Sequence, residues 1–155
     1  MMITLHQISD IPTLMAWRAE VIRNVFGEVA GSHLLEANRQ YYLQHIKNDT
    51  HSAFVAACEG IDCGCGAVCF SDELPSPDNP SGHCAYLMNI YVREAFRKQG
   101  VAHTIVSRLI EEAKKLNCGK IYLETTADGK ALYNSLGFSD MADMMKYYDT
   151  ENQYR

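Results

Sequence analysis

The sequence predicts a single α/β (α+β) domain over residues 1–155, with a mixed sheet and about four helices. Three observations carry that prediction. The apolar run AYLMNIYV at 85–92, the amphipathic stretch after it and KIYLET at 120–125 read as strand, helix and strand, the pattern of a parallel crossover. Two helical stripes come early in the chain, and strand-like segments open and close it. With 155 residues, 47% of them hydrophobic and 21% charged, the chain can bury a core without metal or disulfide staples.

Each element has a local reason. MITLHQI has strand character and stops at Ser9-Asp10, which can cap a helix whose first turn accepts Pro12. Leu14, Trp17, Val21, Ile22, Val25 and Phe26 then recur at helical spacing, until Gly27 and Gly31 break the pattern. A second helix is expected over 33–47, with Leu34, Leu35, Tyr41, Tyr42 and Ile46 for burial. SAFVAAC and CGCGAVCF flank Glu59-Gly60-Ile61-Asp62, a hairpin composition. The segment 72–82 holds three of the four prolines and must be loop, either a flap over a site or a plain surface connection.

AYLMNIYV is apolar on both alternating faces and reads as a central, doubly covered strand. After it, Val101, Ala102, Ile105, Val106, Leu109, Ile110, Ala113 and Leu116 form one wide apolar helix face, which Asn117 to Gly119 ends. A short helix over 127–136, stopped by Gly137, and a closing strand near 141–148 complete the expected order.

Composition narrows the function classes. A net charge of -5 disfavours a broad basic surface for nucleic acid. Nothing approaches a bilayer span, and MMITLHQISD lacks the basic end and apolar core of a signal peptide, so a cytoplasmic protein is expected. Cys58, Cys63, Cys65 and Cys69 crowd together, but no C-x-x-C pair accompanies them, so they read as small apolar fillers of adjacent strands. A metal or redox protein built on that cluster is the competing reading. His6, His33, His45, His51, His83 and His103 are scattered without ligand spacing, and no metal is expected.

The chemistry concentrates at FRKQGVAHTIVSRL, 96–109, where two cations and a glycine open a long helix directly after a strand. The first-turn amides of a helix lack acceptors, and its dipole adds positive charge, so an anion is stabilised there. Gly100 and Ala102 leave room, and Arg97 and Lys98 add charge from the rim. A plain βα connection with solvated charges is the alternative. No nucleotide P-loop sequence exists, and Gly64 and Gly66 lack the third glycine and following helix of a dinucleotide site.

Arg97-Lys98-Gln99-Gly100-Val101-Ala102 resembles the R/Q-x-x-G-x-G/A pyrophosphate loop of the GCN5-related N-acetyltransferase (GNAT) superfamily. Ala131-Leu132-Tyr133-Asn134-Ser135-Leu136-Gly137-Phe138 resembles its second signature, a helix carrying LY and ending in GF. Two departures stand out: Glu94 occupies a usual proline position, and Thr126 a frequent asparagine position that helps hold the cofactor.

The resemblance implies a sheet splayed between its fourth and fifth strands, with acetyl-CoA as co-substrate in the gap. It assigns Ile90, Tyr91 and Val92 to backbone pairing with the pantetheine arm and Arg97 to Ala102 to the pyrophosphate. Direct transfer of the acetyl group to a primary amine of a small molecule or peptide is implied, with Tyr133 as the acid that protonates the leaving thiolate. Glu124 is the candidate base, with Glu36 and Glu28, expected in the first two helices, behind it; Asn89, near the expected cleft, reads as orienting substrate or as satisfied within the sheet, and His103, just after the loop, as a contact to the cofactor's phosphates or, the better reading, a solvated side chain. A homodimer is implied by analogy. A CoA-binding sensor or interaction module without turnover is the runner-up.

Overall fold

The computed structural model describes residues 1–149, which divide into two compact units, Met1–Thr125 and the residues from Thr126 onward. The first unit carries an open five-stranded sheet in the order β1-β2-β3-β4-β5. Its strands are β1 (Ile3–Ile8), β2 (His51–Cys58), β3 (Ile61–Asp72), β4 (His83–Val92) and β5 (Lys120–Tyr122). The first four are antiparallel neighbours, and β4 and β5 are parallel, so the sheet is mixed.

Helices α1 (Ile11–Val25) and α2 (Ser32–Lys47) follow β1, and α3 (Val101–Lys115) crosses from β4 to β5. Asp10 caps α1 by accepting from the Thr13 amide, with Pro12 in the first turn, as the sequence predicts. Leu14, Trp17, Val21 and Tyr42 pack with Ala53, Val55, Cys65 and Ala67 of the sheet. On α3, Val101, Ile105, Val106, Leu109 and Ala113 are buried, and Gly66 lets that helix lie close on β3, while Gly64 leaves room for the backbone of β4. A Cβ at Gly66 would collide with Ile105, and one at Gly64 would lie 2.7 Å from the Tyr91 carbonyl oxygen.

The hairpin between β2 and β3 turns on Glu59 and Gly60 alone, both with positive φ, so β3 begins two residues earlier than the composition suggests. The proline-rich segment is a surface connection held at the start of β4. Buried Asn79 donates to Glu73 and to the His83 carbonyl, and Lys120 pairs with Glu73 at 3.2 Å.

The second unit contains a single turn at Ala127–Gly129 and α4 (Lys130–Ser135). Two expectations fail. β5 stops at Tyr122 rather than running to residue 125, and the predicted closing strand at 141–148 is irregular chain. Its apolar residues are adjacent rather than alternating, Met145 and Tyr147 are 100% and 86% exposed, and no ladder pairs them among the described residues. Among the described residues no helix is long and apolar enough to cross a membrane.

Candidate active site

The turn into α3 is built from backbone angles. Beyond β4, one short helical turn at Glu94–Phe96 is closed by the Phe96 amide on the Arg93 carbonyl, 2.9 Å. Lys98 and Gly100 then adopt left-handed conformations, φ 60° and 87°, on either side of Gln99. A Cβ at Gly100 would meet nothing within 4 Å, so the angle, not crowding, asks for glycine.

No side chain caps α3. Its ladder begins with the Thr104 amide on the Gly100 carbonyl at 3.1 Å, so the amides of Val101, Ala102 and His103 precede the ladder at the helix end. Val101 has its side chain in the core and offers only its amide. Arg97 is exposed and folds back, Nε donating to the Val92 carbonyl at 2.9 Å. Gln99 donates to the Ala95 carbonyl at 3.3 Å, which closes the loop, while Lys98 and His103 are exposed.

Directly before this turn β4 has an open edge. Parallel pairing with β5 covers only Cys84–Tyr86 against Lys120–Tyr122, whereas pairing with β3 continues to Val92. From Leu87 to Val92 the backbone has a strand on one side and, among the described residues, none on the other. Ile90, Tyr91 and Val92 lie in that stretch; Tyr91 is buried, and its hydroxyl meets the Glu20 carboxylate.

A bulge sits in the same stretch. Cys65 pairs with Tyr91 but Ala67 with Met88, so β4 holds one extra residue, and Asn89 is left-handed at φ 57°. Its side-chain oxygen accepts from Arg18 Nη1 at 2.8 Å, and Arg18 Nε donates to Asn38 at 2.9 Å.

The carboxylates differ in placement. Glu124 is exposed just beyond β5 and meets the hydroxyl of Tyr86, whose ring lies 5.0 Å from that of Tyr122. Glu36 is exposed on α2 and engaged by Arg39 and Gln40 of its own helix. Glu28 lies in the connection after α1, not in a helix as expected. Glu20 is held in a two-pronged pair by Arg93, both contacts 2.9 Å, and Arg93 lies 4.5 Å over the Trp17 ring. The Arg93 hydrogen bonds hold the Glu20 carboxyl below its ordinary range.

Thr126 and Tyr133 belong to the second unit, where the LY and GF residues have a structural explanation. Gly137 is left-handed at φ 99°; its amide donates to the Asn134 carbonyl and that of Phe138 to the Tyr133 carbonyl, 3.1 and 3.0 Å. Those two bonds are a Schellman cap, completed by edge-on packing of Phe138 on Tyr133, ring centroids 5.8 Å apart. Half-buried Tyr133 has its pKa raised by desolvation, which keeps the phenol protonated.

Five of the six cysteines fill strands β2, β3 and β4, and Cys118 lies in the connection between α3 and β5. Cys58, Cys63, Cys65 and Cys84 are buried, and Cys69 and Cys118 partly so. Among the described residues no group of three or more His, Cys, Asp or Glu side chains is arranged to hold a metal.

Arg18, Glu20 and Arg93 escape a reading by motif. A signal for Arg18 does exist, since a cation at four-residue spacing between Leu14 and Ile22, both buried, sits inside an apolar stripe.

A model of the acetyltransferase (GNAT) family matches residues 17–138. The [ribosomal protein bS18]-alanine N-acetyltransferase of Escherichia coli K12 is 35% identical over 69 residues, which span 43% of this chain and 47% of that relative. The chain thus matches about half the length of that protein. The uncharacterized N-acetyltransferase YjgM of the same organism is 30% identical over 128 residues, 77% of this chain and 73% of the relative. In fold, the chain is similar to a "predicted acetyltransferase with acetyl-CoA from Clostridium acetobutylicum", with TM-score 0.84, 22% identity, and 95% and 96% of the two chains covered.

Proposed function

The chain belongs to the acetyltransferase (GNAT) family, and from that membership we propose that it transfers the acetyl group of acetyl-CoA to a primary amine of a small molecule or peptide, working as one domain over residues 1–155. The observation that carries the reading is the junction of two backbone features in one place. An uncapped helix start with left-handed Gly100 stands directly beyond the stretch where β4 loses its β5 neighbour. The first suits a diphosphate and the second suits an extended arm carrying amide groups. Room above Gly100, where a Cβ would touch nothing, fits a bound phosphate.

When bound, acetyl-CoA supplies an activated thioester whose carbonyl carbon accepts an amine. The amides of Val101, Ala102 and His103 hold the diphosphate, and Arg97 and Lys98 add positive charge at its rim. The open edge of β4 at Ile90, Tyr91 and Val92 orients the arm, and an amide there stabilises charge developing on the carbonyl oxygen. Glu124, through a water, takes the proton that the attacking amine must lose as the N–C bond forms. Tyr133 gives its phenolic proton to the sulfur as the C–S bond breaks. Thr126 stands where a family asparagine would help hold the cofactor.

The test is titration calorimetry with CoA, then thiol release from acetyl-CoA across a panel of primary amines. Binding with amine-dependent thiol release is the expected result. Binding without release from any amine replaces the enzyme with a CoA sensor, and no heat from CoA removes the proposal altogether.

A further inference from the structure

Arg18 presents a partly buried cation that the proposed chemistry does not use. Its flanking residues one turn away, Leu14 and Ile22, are 2% and 3% exposed, so the side chain leaves α1 on the face turned to the sheet. Two neutral amide oxygens hold the guanidinium, that of Asn38 on α2 at 2.9 Å and that of Asn89 in β4 at 2.8 Å. Asn38 is itself fixed, since its amide nitrogen donates to the Leu34 carbonyl at 2.8 Å, and this aims its oxygen at Arg18. Among the described residues no carboxylate pairs with Arg18; Glu20, on the same helix, is occupied by Arg93.

A guanidinium has five N–H donors in a planar fork, and two neutral acceptors use only part of it. A cation partly removed from water and held by neutral groups keeps its attraction for an anion. Its direction is set as well. Asn89 adjoins Ile90, at the beginning of the segment proposed to pair with the thioester arm, and Arg18 reaches that residue from the side of α1 and α2. An acceptor whose amine meets the thioester from that side brings its other end within reach of Arg18. The charge is felt locally, since Arg18 opposes the rise in pKa that burial imposes on Tyr41 and Tyr42.

We infer that Arg18, positioned by Asn38 and Asn89, anchors an oxyanion on the acceptor, so that the substrate is an amine that also bears a carboxylate or a phosphate ester. The inference rests on the acetyltransferase reading and narrows its substrate class.

The test reads binding and does not wait on turnover. The CoA-loaded protein is titrated with two matched pairs, β-alanine against β-alaninamide and phosphoethanolamine against ethanolamine, which separate the carboxylate from the phosphate source. The expected result is that the anionic member of at least one pair binds about tenfold or more tightly than its neutral partner. Arg18→Gln brings that ratio to within about twofold, and Arg18→Lys keeps part of it. Asn89→Asp places a carboxylate beside an intact Arg18 and abolishes the preference too, which a merely structural role for Arg18 would not predict. Equal affinity within both pairs, no binding of any probe, or a preference that survives Arg18→Gln overturns the anchor. Failure of CoA itself to bind, visible in the loading titration, overturns instead the acetyltransferase reading and the anchor with it.

Discussion

Gly100 adopts a backbone angle that a side chain resists, yet it has empty space around it. Those two facts separate conformation from occupancy. Gly100→Glu adds strain and sets a carboxylate where the diphosphate is proposed to sit, so CoA affinity is expected to fall at least a hundredfold by calorimetry in a protein that still folds. Unchanged affinity would move the phosphate site elsewhere. Tyr133 poses the opposite problem, because its ring already has a structural task under Phe138 and only its hydroxyl is available for chemistry. Tyr133→Phe preserves the ring packing, so kcat is expected to drop about a hundredfold with CoA affinity within twofold. Full turnover in the variant would remove the phenol from the mechanism. A third residue concerns stability alone. His51 is buried, its Nδ1 shares a 2.8 Å hydrogen bond with the Tyr41 hydroxyl, and its Nε2 has no partner among the described residues. Desolvation, aided by the nearby His45, lowers its pKa from 6.5 to about 4. The unfolded chain therefore takes up a proton as pH falls through 6.5 while the folded one resists until about 4. Stability is fully present above that window and declines across it by about 3 kcal/mol. Urea midpoints between pH 7 and 4 should fall more steeply for the native protein than for His51→Gln; parallel slopes would contradict this account.

Among elements, α3 lies close on β3, because a glycine replaces a side chain where the helix meets the sheet. Gly66→Ala forces Ile105 out of its position and is expected to cost about 1–3 kcal/mol, read as a lower Tm. A neutral result would mean that the helix moves away freely. The element signals also differ in how far sequence carries them. The wide apolar face of α3 and the cap of α1 are local patterns that burial and hydrogen bonding then follow. The turn of the β2–β3 hairpin is local as well, though Glu59 and Gly60 suffice for it. The expected strand at 141–148 fails because a strand depends on a neighbour to pair with, which no window of residues supplies.

For the molecule, binding and stability are coupled. A ligand held by the folded first unit and not by the unfolded chain raises stability by about 2.7 kcal/mol at a hundred times its Kd. Saturating CoA should therefore raise Tm by about 5–10 °C, and hydrogen exchange should slow in β4 from Leu87 to Val92 and at the start of α3. Stabilisation without protection in those two places would relocate the binding site.

The residues that could be read in order along the chain were those whose meaning is local: the glycine and cations before α3, the periodic face of that helix, and the LY and GF residues, whose spacing is that of a helix and its cap. The parting of β4 and β5 is implied by the resemblance those residues carry, but tertiary structure alone decided that it falls after Tyr86, and alone decided the bulge that turns Asn89 and the meeting of Arg18 with Asn38 and Asn89, 20 and 71 residues away in sequence. Periodicity and capping are properties of neighbouring residues and are therefore written in a short stretch of sequence. The charge environment of a side chain depends on which distant segments the fold brings to it, and this leaves no mark on the residues around it.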